Sequence, residues 1–180
     1  MPNWCEGNLR IRGKKENIVK LLKDKFKYCY YDNNLKIEEL ECAVIVPENK
    51  WEDIEIHAPE LPKLDSDRRG WWYLSGTKRA FVYTDNSDDT IYIQLIETRK
   101  LKEKDSIIAY VNGFRQAWGI DPENFQPWSK DYGVDLKIFG WEMNMEFSQV
   151  IEIVGGEITM NDCAEYKDWY WESTNPFFGG

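Results

Sequence analysis

The feature that most constrains this chain is a glycine pair near its end. In "QVIEIVGGEITM", Gly155 and Gly156 separate two short alternating runs, the pattern of an antiparallel hairpin closed by a two-residue turn. The same period of two appears elsewhere. In "MPNWCEGNLRIRG", Leu9 and Ile11 alternate with Arg10 and Arg12, and in "VDLKIFGW" Val134, Leu136 and Ile138 share one side. Side chains of a strand point to opposite faces in turn, so each run is expected to bury one face.

Two stretches carry helical spacing instead. "KKENIVKLLKDKFK" places Ile18, Leu21, Leu22 and Phe26 on one face, with Lys14, Lys15, Lys20, Lys23, Lys25 and Lys27 mostly on the other. "DSIIAYVNGFRQAW" gives the stripe Ile107, Ile108, Val111, Phe114 and Trp118, with Asp105 or Ser106 placed to cap a second amphipathic helix and Gly113 tolerated inside it.

Between these lie further strand candidates. "LECAVIVP" is apolar on both sides, through Leu40, Cys42, Val44 and Val46 and through Ala43 and Ile45, and reads as an interior strand ended by Pro47. Residues 48–69, broken by Pro59 and Pro62, read as an irregular excursion with a short helix near "WEDIEI". "WWYLSGTKRAFVYTD" and "TIYIQLIE" are rich in β-branched and aromatic residues and read as a hairpin across "DNSDD". The expected fold class is α+β: a single ferredoxin-like βαββαβ domain over residues 1–180, an antiparallel sheet with two helices on one face. It would carry an insertion around 48–69, an extra C-terminal hairpin and an acidic, aromatic C-terminal extension.

Charge and composition narrow the chemistry. Net charge is −9, yet the first 36 residues are basic and the last 40 strongly acidic. An acidic whole disfavours nonspecific binding to phosphate backbones, although a local basic face remains compatible with it. The chain has 9 Trp, 10 Tyr and 8 Phe, more rings than one small core uses, so some are expected at a surface. Cys5, Cys29, Cys42 and Cys163 show no paired ligand spacing and His57 is the single histidine, so neither a zinc site nor another metal or cofactor is expected. The acidic turn starting at Asp85 has Thr90 and Ile96 where a calcium loop needs Gly and Glu. No apolar run is long enough to span a bilayer and no leader pattern precedes Trp4. The expectation is a soluble, cytoplasmic protein with reduced thiols and no membrane partner.

The opening "MPNWCEGNLRIRG", the central "SGTKRA" and the late "FGWEMNMEFSQVIEIVGGEI" together resemble the YubB ferredoxin-like domain family of phages, prophages and conjugative plasmids. Pro2, Asn3, Trp4, Cys5, Asn8, Leu9 and Gly13 carry the likeness most closely; Gly76, Thr77, Lys78, Glu142 and Phe147 carry it more loosely. Arg79 departs from the Trp common in the family at that point, as does the longer acidic C-terminus. The resemblance implies a fold with a central first strand, in which Trp4, Leu9 and Ile11 are packed, and a mobile-element origin. It implies no settled activity.

Three classes of function follow. The first is a non-enzymatic protein-binding module serving a phage or plasmid, whose acids (Asp85, Asp88, Asp89 and those of the tail) steer a basic host or mobile-element protein toward anchors at Trp71, Trp72, Trp169 and Trp171. The second is single-stranded nucleic-acid binding: "RRGWWYLSGTKRAF" interleaves Arg68, Arg69, Lys78 and Arg79 with Trp71, Trp72, Tyr73 and Phe81, without the RNP pattern. The third is an enzyme, for which acid–base work would fall to Glu142, Glu146 or His57, since nucleophile, phosphate-loop and metal motifs are absent. The candidate surface is therefore Arg68, Arg69, Trp71, Trp72, Tyr73, Lys78, Arg79 and Glu142, with no catalytic residue assigned.

Overall fold

A computed structural model describes residues 3–32, 36–48, 52–61, 70–85, 89–97 and 106–172. The chain opens with β1 (Trp4–Lys14), α1 (Lys15–Lys25) and β2 (Phe26–Tyr31), then β3 (Ile37–Leu40), β4 (Ala43–Ile45) and β5 (Ile54–His57). Next come β6 (Trp71–Leu74), β7 (Ala80–Val82), β8 (Ile91–Glu97) and β9 (Ser106–Ala117). A 3-10 turn at Pro122–Asn124 leads into α2 (Gln126–Tyr132), β10 (Asp135–Glu142), β11 (Phe147–Val154), β12 (Glu157–Glu165) and α3 (Trp169–Glu172).

All twelve strands join one antiparallel sheet. Its main path runs β12-β11-β10-β1-β9-β7-β6-β2-β3, while β8 pairs with β9 and β5, and β5 with β4. The strand β1 is interior, paired along its length with β9 and β10, and Leu9 and Ile11 are fully buried. Ile18, Leu21 and Leu22 of α1 are buried as their spacing predicts, and α1 packs over β1, β2, β4 and β9. The α2 helix packs beside α1 and against β11 and β12. The glycine pair makes the closing hairpin, with Gly155 at φ 60° and Gly156 at φ 85°, values that a two-residue turn of this hand requires.

The ferredoxin-like α+β expectation is overturned by this sheet. Two misread periods account for most of the difference. The supposed second helix, "DSIIAYVNGFRQAW", is the long strand β9 from Ser106. Its buried residues run Ala109, Val111, then Phe114 and Gln116: the period of two skips one residue at Gly113, where the register with β1 shifts. That bulge turns a spacing of two into a spacing of three, which on paper is indistinguishable from one face of a helix. The second misreading is "WEDIEI", whose Ile54 and Ile56 are buried in β5, a strand and not a helix.

Smaller corrections follow the same logic. "WWYLSGTKRAFVY" is itself a hairpin, β6 and β7 folding back through Ser75–Arg79, and "TIYIQLIE" pairs with β5 and β9 instead. "LECAVIVP" is no interior strand: β4 is largely exposed and, among the described residues, pairs with β5 alone. Phe26, expected on the helix, starts β2.

The bulge also forks the sheet. Residues Ile107–Val111 of β9 pair with β8, whereas Phe114–Gln116 pair with β7. Gly113 sits at the fork with φ 74°, and an added Cβ would lie 2.1 Å from the Tyr83 carbonyl oxygen. Only glycine fits there. Among the described residues no helix is long and apolar enough to cross a membrane.

Candidate functional site

Alternation along paired strands sends two sets of side chains to opposite faces. The face under α1 takes Phe26, Tyr28, Trp72, Leu74, Ala80, Val82 and Phe114, all buried. The opposite face takes the residues between them. Across it the register sets Glu6, Arg115, Phe81 and Tyr73 side by side, and beside that row Trp71, Cys29 and Glu39. Trp4, Tyr31, Ile37, Tyr83 and Trp118 complete a trough of about 1070 Å³ along this open face. Six strands, β1 to β3 through β9, β7, β6 and β2, at ~4.8 Å per step make it about 24 Å wide.

The rings touch one another and carry cations. Trp4 meets Phe81 edge-on at 5.5 Å, Tyr73 lies 5.8 Å from Phe81, and Tyr31 is tilted against Trp71 at 4.9 Å. The Arg115 guanidinium stands 4.3 Å from the centre of the Tyr83 ring and 6.0 Å from that of Trp4. Its Nε is buried without a hydrogen-bond partner, and the nearest carboxylate, Glu6, is 3.8 Å from Nη2. Arg79 lies over Trp118 at 4.9 Å. Stacking and cation–π contacts hold this end of the trough together with one long ion pair, Arg115 to Glu6.

The turn that carries Lys78 and Arg79 is rigid. Thr77 is buried, its hydroxyl donating to the Leu74 carbonyl at 2.5 Å while its oxygen accepts from Ala80 N–H at 3.3 Å. The Tyr73 hydroxyl donates to the Thr77 carbonyl at 2.7 Å, and burial raises its pKa. Gln116, buried on β9, donates to the Lys78 carbonyl at 3.0 Å. Lys78 Nζ reaches Asp121 at 3.3 Å but stays 80% exposed, whereas Arg79 makes no ion pair among the described residues. Arg79 (φ 57°) and Trp118 (φ 64°) both hold left-handed backbone, at a cost of about 1 kcal/mol or more each, and they are the two residues that stack on each other.

The site residues expected from sequence divide sharply. Trp71, Tyr73, Lys78 and Arg79 come together on the open face, with Phe81. Trp72 does not: it is 2% exposed on the helix face, its Nε1 donating to the Asp89 carbonyl at 2.9 Å and its ring set edge-on against Tyr28. Arg68 and Arg69 lie outside the described residues, as does Asp88. Glu142 is buried away from the trough and caps the β10–β11 turn, accepting from Asn144 N–H at 3.1 Å, from Asn144 Nδ2 at 3.0 Å and from Met145 N–H. That is a structural task for a buried carboxylate, not a surface one. His57 bonds Glu55 at 2.7 Å on β5, away from the trough.

Sequence reading missed Trp4, Tyr31, Tyr83, Arg115 and Trp118. Trp4 is half-buried against Phe81 on the open face, while its neighbour Cys5 is fully buried on the other. Trp118 was counted in a helical core stripe and is 65% exposed. Counting by twos from Trp71 and Tyr73 across paired strands would have found the rings, had the pairing been known. Burial pushes the Cys5 and Cys29 thiols up to about 12, so neither is a nucleophile at neutral pH. Among the described residues no three His, Cys, Asp or Glu side chains gather as metal ligands.

Elsewhere on the sheet Arg10 stands over the Tyr110 ring at 5.2 Å, and two other cations are ion-paired. Arg12 bonds Asp135 at 2.6 Å and Lys137 bonds Glu152 at 3.1 Å. Set against known proteins, the chain matches no family model, no curated protein and no solved structure.

Proposed function

We propose that the open face of the sheet binds single-stranded nucleic acid. The observation that carries this reading is the co-location of Trp4, Tyr31, Trp71, Tyr73, Phe81, Tyr83 and Trp118 with Lys78, Arg79 and Arg115 in one trough of an otherwise acidic protein. Unstacked bases present π-faces to such rings, each stack contributing about 1–3 kcal/mol, while the cations take backbone phosphates. A duplex hides its base faces from the rings and meets the net negative charge of the whole chain, so it is disfavoured.

The test is fluorescence anisotropy with a labelled 12-nucleotide single strand and the matching duplex at low salt. Single-strand binding is expected, weakened about tenfold or more by Trp71→Ala, a half-exposed residue whose loss leaves the melting temperature near wild type. With about 3 phosphates neutralised, log K should fall against log salt with a slope of about −2, and Arg79→Ala should flatten it by roughly 0.7. No binding at micromolar protein, or equal binding by Trp71→Ala, sinks the proposal.

A second reading keeps the non-enzymatic protein-binding module. One observation favours it: the segment from β12 to α3 exposes Asp162, Glu165, Asp168 and Glu172 together with Tyr170 and Trp171, each of these two rings 87% exposed. A protein retained from a bacterial lysate after nuclease treatment, and released by Trp171→Ala, supports that surface; retention that disappears with nuclease removes it.

A further inference from the structure

The two ends of the trough differ in charge, and the difference fits the two ends of a nucleotide. At the β9–β7 end both guanidinium groups stand on ring faces, Arg115 on Tyr83 and Trp4 and Arg79 on Trp118, and Lys78 beside them reaches Asp121. At the β2–β3 end Tyr31 and Trp71 pair with each other, and among the described residues no cation stands on either ring. Beside them lies Glu39, in register with Cys29 and one residue row from Tyr31. It is exposed on the trough and has no ion pair or hydrogen bond among the described residues. Its carboxylate is open to solvent beside the rings and is free to accept hydrogen bonds from a ligand laid on them.

We propose that Glu39 reads base identity, accepting a hydrogen bond from the exocyclic amino group of a base stacked at Tyr31 and Trp71, so that the site takes cytosine in preference to uracil or thymine. This rests on the single-strand reading above. Cytosine and uracil share an outline, to which thymine adds a 5-methyl group, and they differ at positions 3 and 4. The discrimination is made at position 4; a carboxylate set at position 3 would favour the N3–H of uracil and thymine instead. At position 4 cytosine offers N–H donors, whereas uracil and thymine present a carbonyl oxygen that would face the carboxylate acceptor to acceptor. Leaving Glu39 desolvated and unpaired against that oxygen weakens the wrong complex, which is how a polar group in a stacking site discriminates. The phosphates meanwhile run toward Lys78, Arg79 and Arg115.

The experiment is a titration of wild type and Glu39→Gln with 12-nucleotide homopolymers of cytidine and of uridine or thymidine, in both RNA and DNA forms, at pH 8. Wild type should prefer cytosine about tenfold in both sugar series, because the amino group is common to them. Glu39→Gln, whose amide donates as well as accepts, should bring the preference within about twofold and leave the melting temperature unchanged. Equal affinity of wild type for both bases, or an unchanged preference in Glu39→Gln, overturns the assignment to Glu39 while the platform stands. If neither homopolymer binds, the single-strand reading fails and this one with it. Glu39→Ala serves as a second variant: it too should lose the preference, and retaining it would overturn the proposal.

Discussion

Trp71 and Trp72 are neighbours in sequence and belong to opposite worlds. Trp72 is enclosed between Tyr28 and the Asp89 carbonyl under the helix layer, and Trp71 lies half-open against Tyr31 on the trough. Their residue type is the same and their local propensity is the same. What separates them is the pleat of a strand whose one face is covered and whose other is not. The difference shows that a tryptophan dipeptide in a strand is one core residue and one surface residue, and only pairing tells which is which.

The largest expected effect tests that division directly. Trp72→Ala should cost about 3–5 kcal/mol in urea unfolding, since it empties a large core volume and leaves the Asp89 carbonyl without its donor. Trp71→Ala should remain within about 1 kcal/mol of wild type while losing single-strand affinity. Two equal losses of stability would break the comparison. For the same reason a Trp72 variant is useless as a probe of binding: its failure to bind would report unfolding.

Next in size is the fork. Gly113→Ala drives a Cβ toward the Tyr83 carbonyl in a backbone conformation that alanine resists, and should cost about 1–3 kcal/mol. Because Tyr83 carries Arg115 on its ring, the variant should also lower single-strand affinity in protein that is still folded. Folded Gly113→Ala with unaltered affinity would show that the basic end of the trough does not depend on the fork.

The bulge at Gly113 also explains how much of this molecule could be read from its residues. The first helix, the interior first strand and the closing hairpin were legible, because Ile18, Leu21 and Leu22, Leu9 and Ile11, and Gly155-Gly156 each obey one local period or one turn rule. The strand β9 was not, because one inserted residue between Val111 and Phe114 imitates a helix, and no local signal distinguishes the two. With β9 misplaced, Arg115 and Trp118 lost their strand partners and the trough could not be assembled. The pattern "WWYLSGTKRAF" led to the open face of the sheet with about half its residues on the opposite, buried side. Glu142 misled for another reason: its acceptors are spent on the turn three residues ahead, a contact invisible until the β10–β11 register is known.

The smallest expected effect again sets one face beside the other, through their thiols. Cys5 lies under the helix layer and Cys29 lies in the floor of the trough, and burial first, then nearby carboxylates, raises both from an ordinary value near 9.0 to about 12. The folded chain therefore holds two protons that the unfolded chain releases above about pH 9. Stability from these groups is intact below that pH and declines as pH rises from 9 toward 12. Urea midpoints measured at pH 7.5, 9 and 10.5 should fall in that order, and Cys5→Ala and Cys29→Ala should each lessen the fall. The two sites differ once a ligand is present. A single strand covering the trough lies over Cys29 and not over Cys5, so at pH 10 it should slow alkylation of Cys29 while the rate at Cys5 changes only as far as global unfolding is suppressed. Equal protection of both thiols would mean that the ligand acts through overall stability and that the open face is not where it sits.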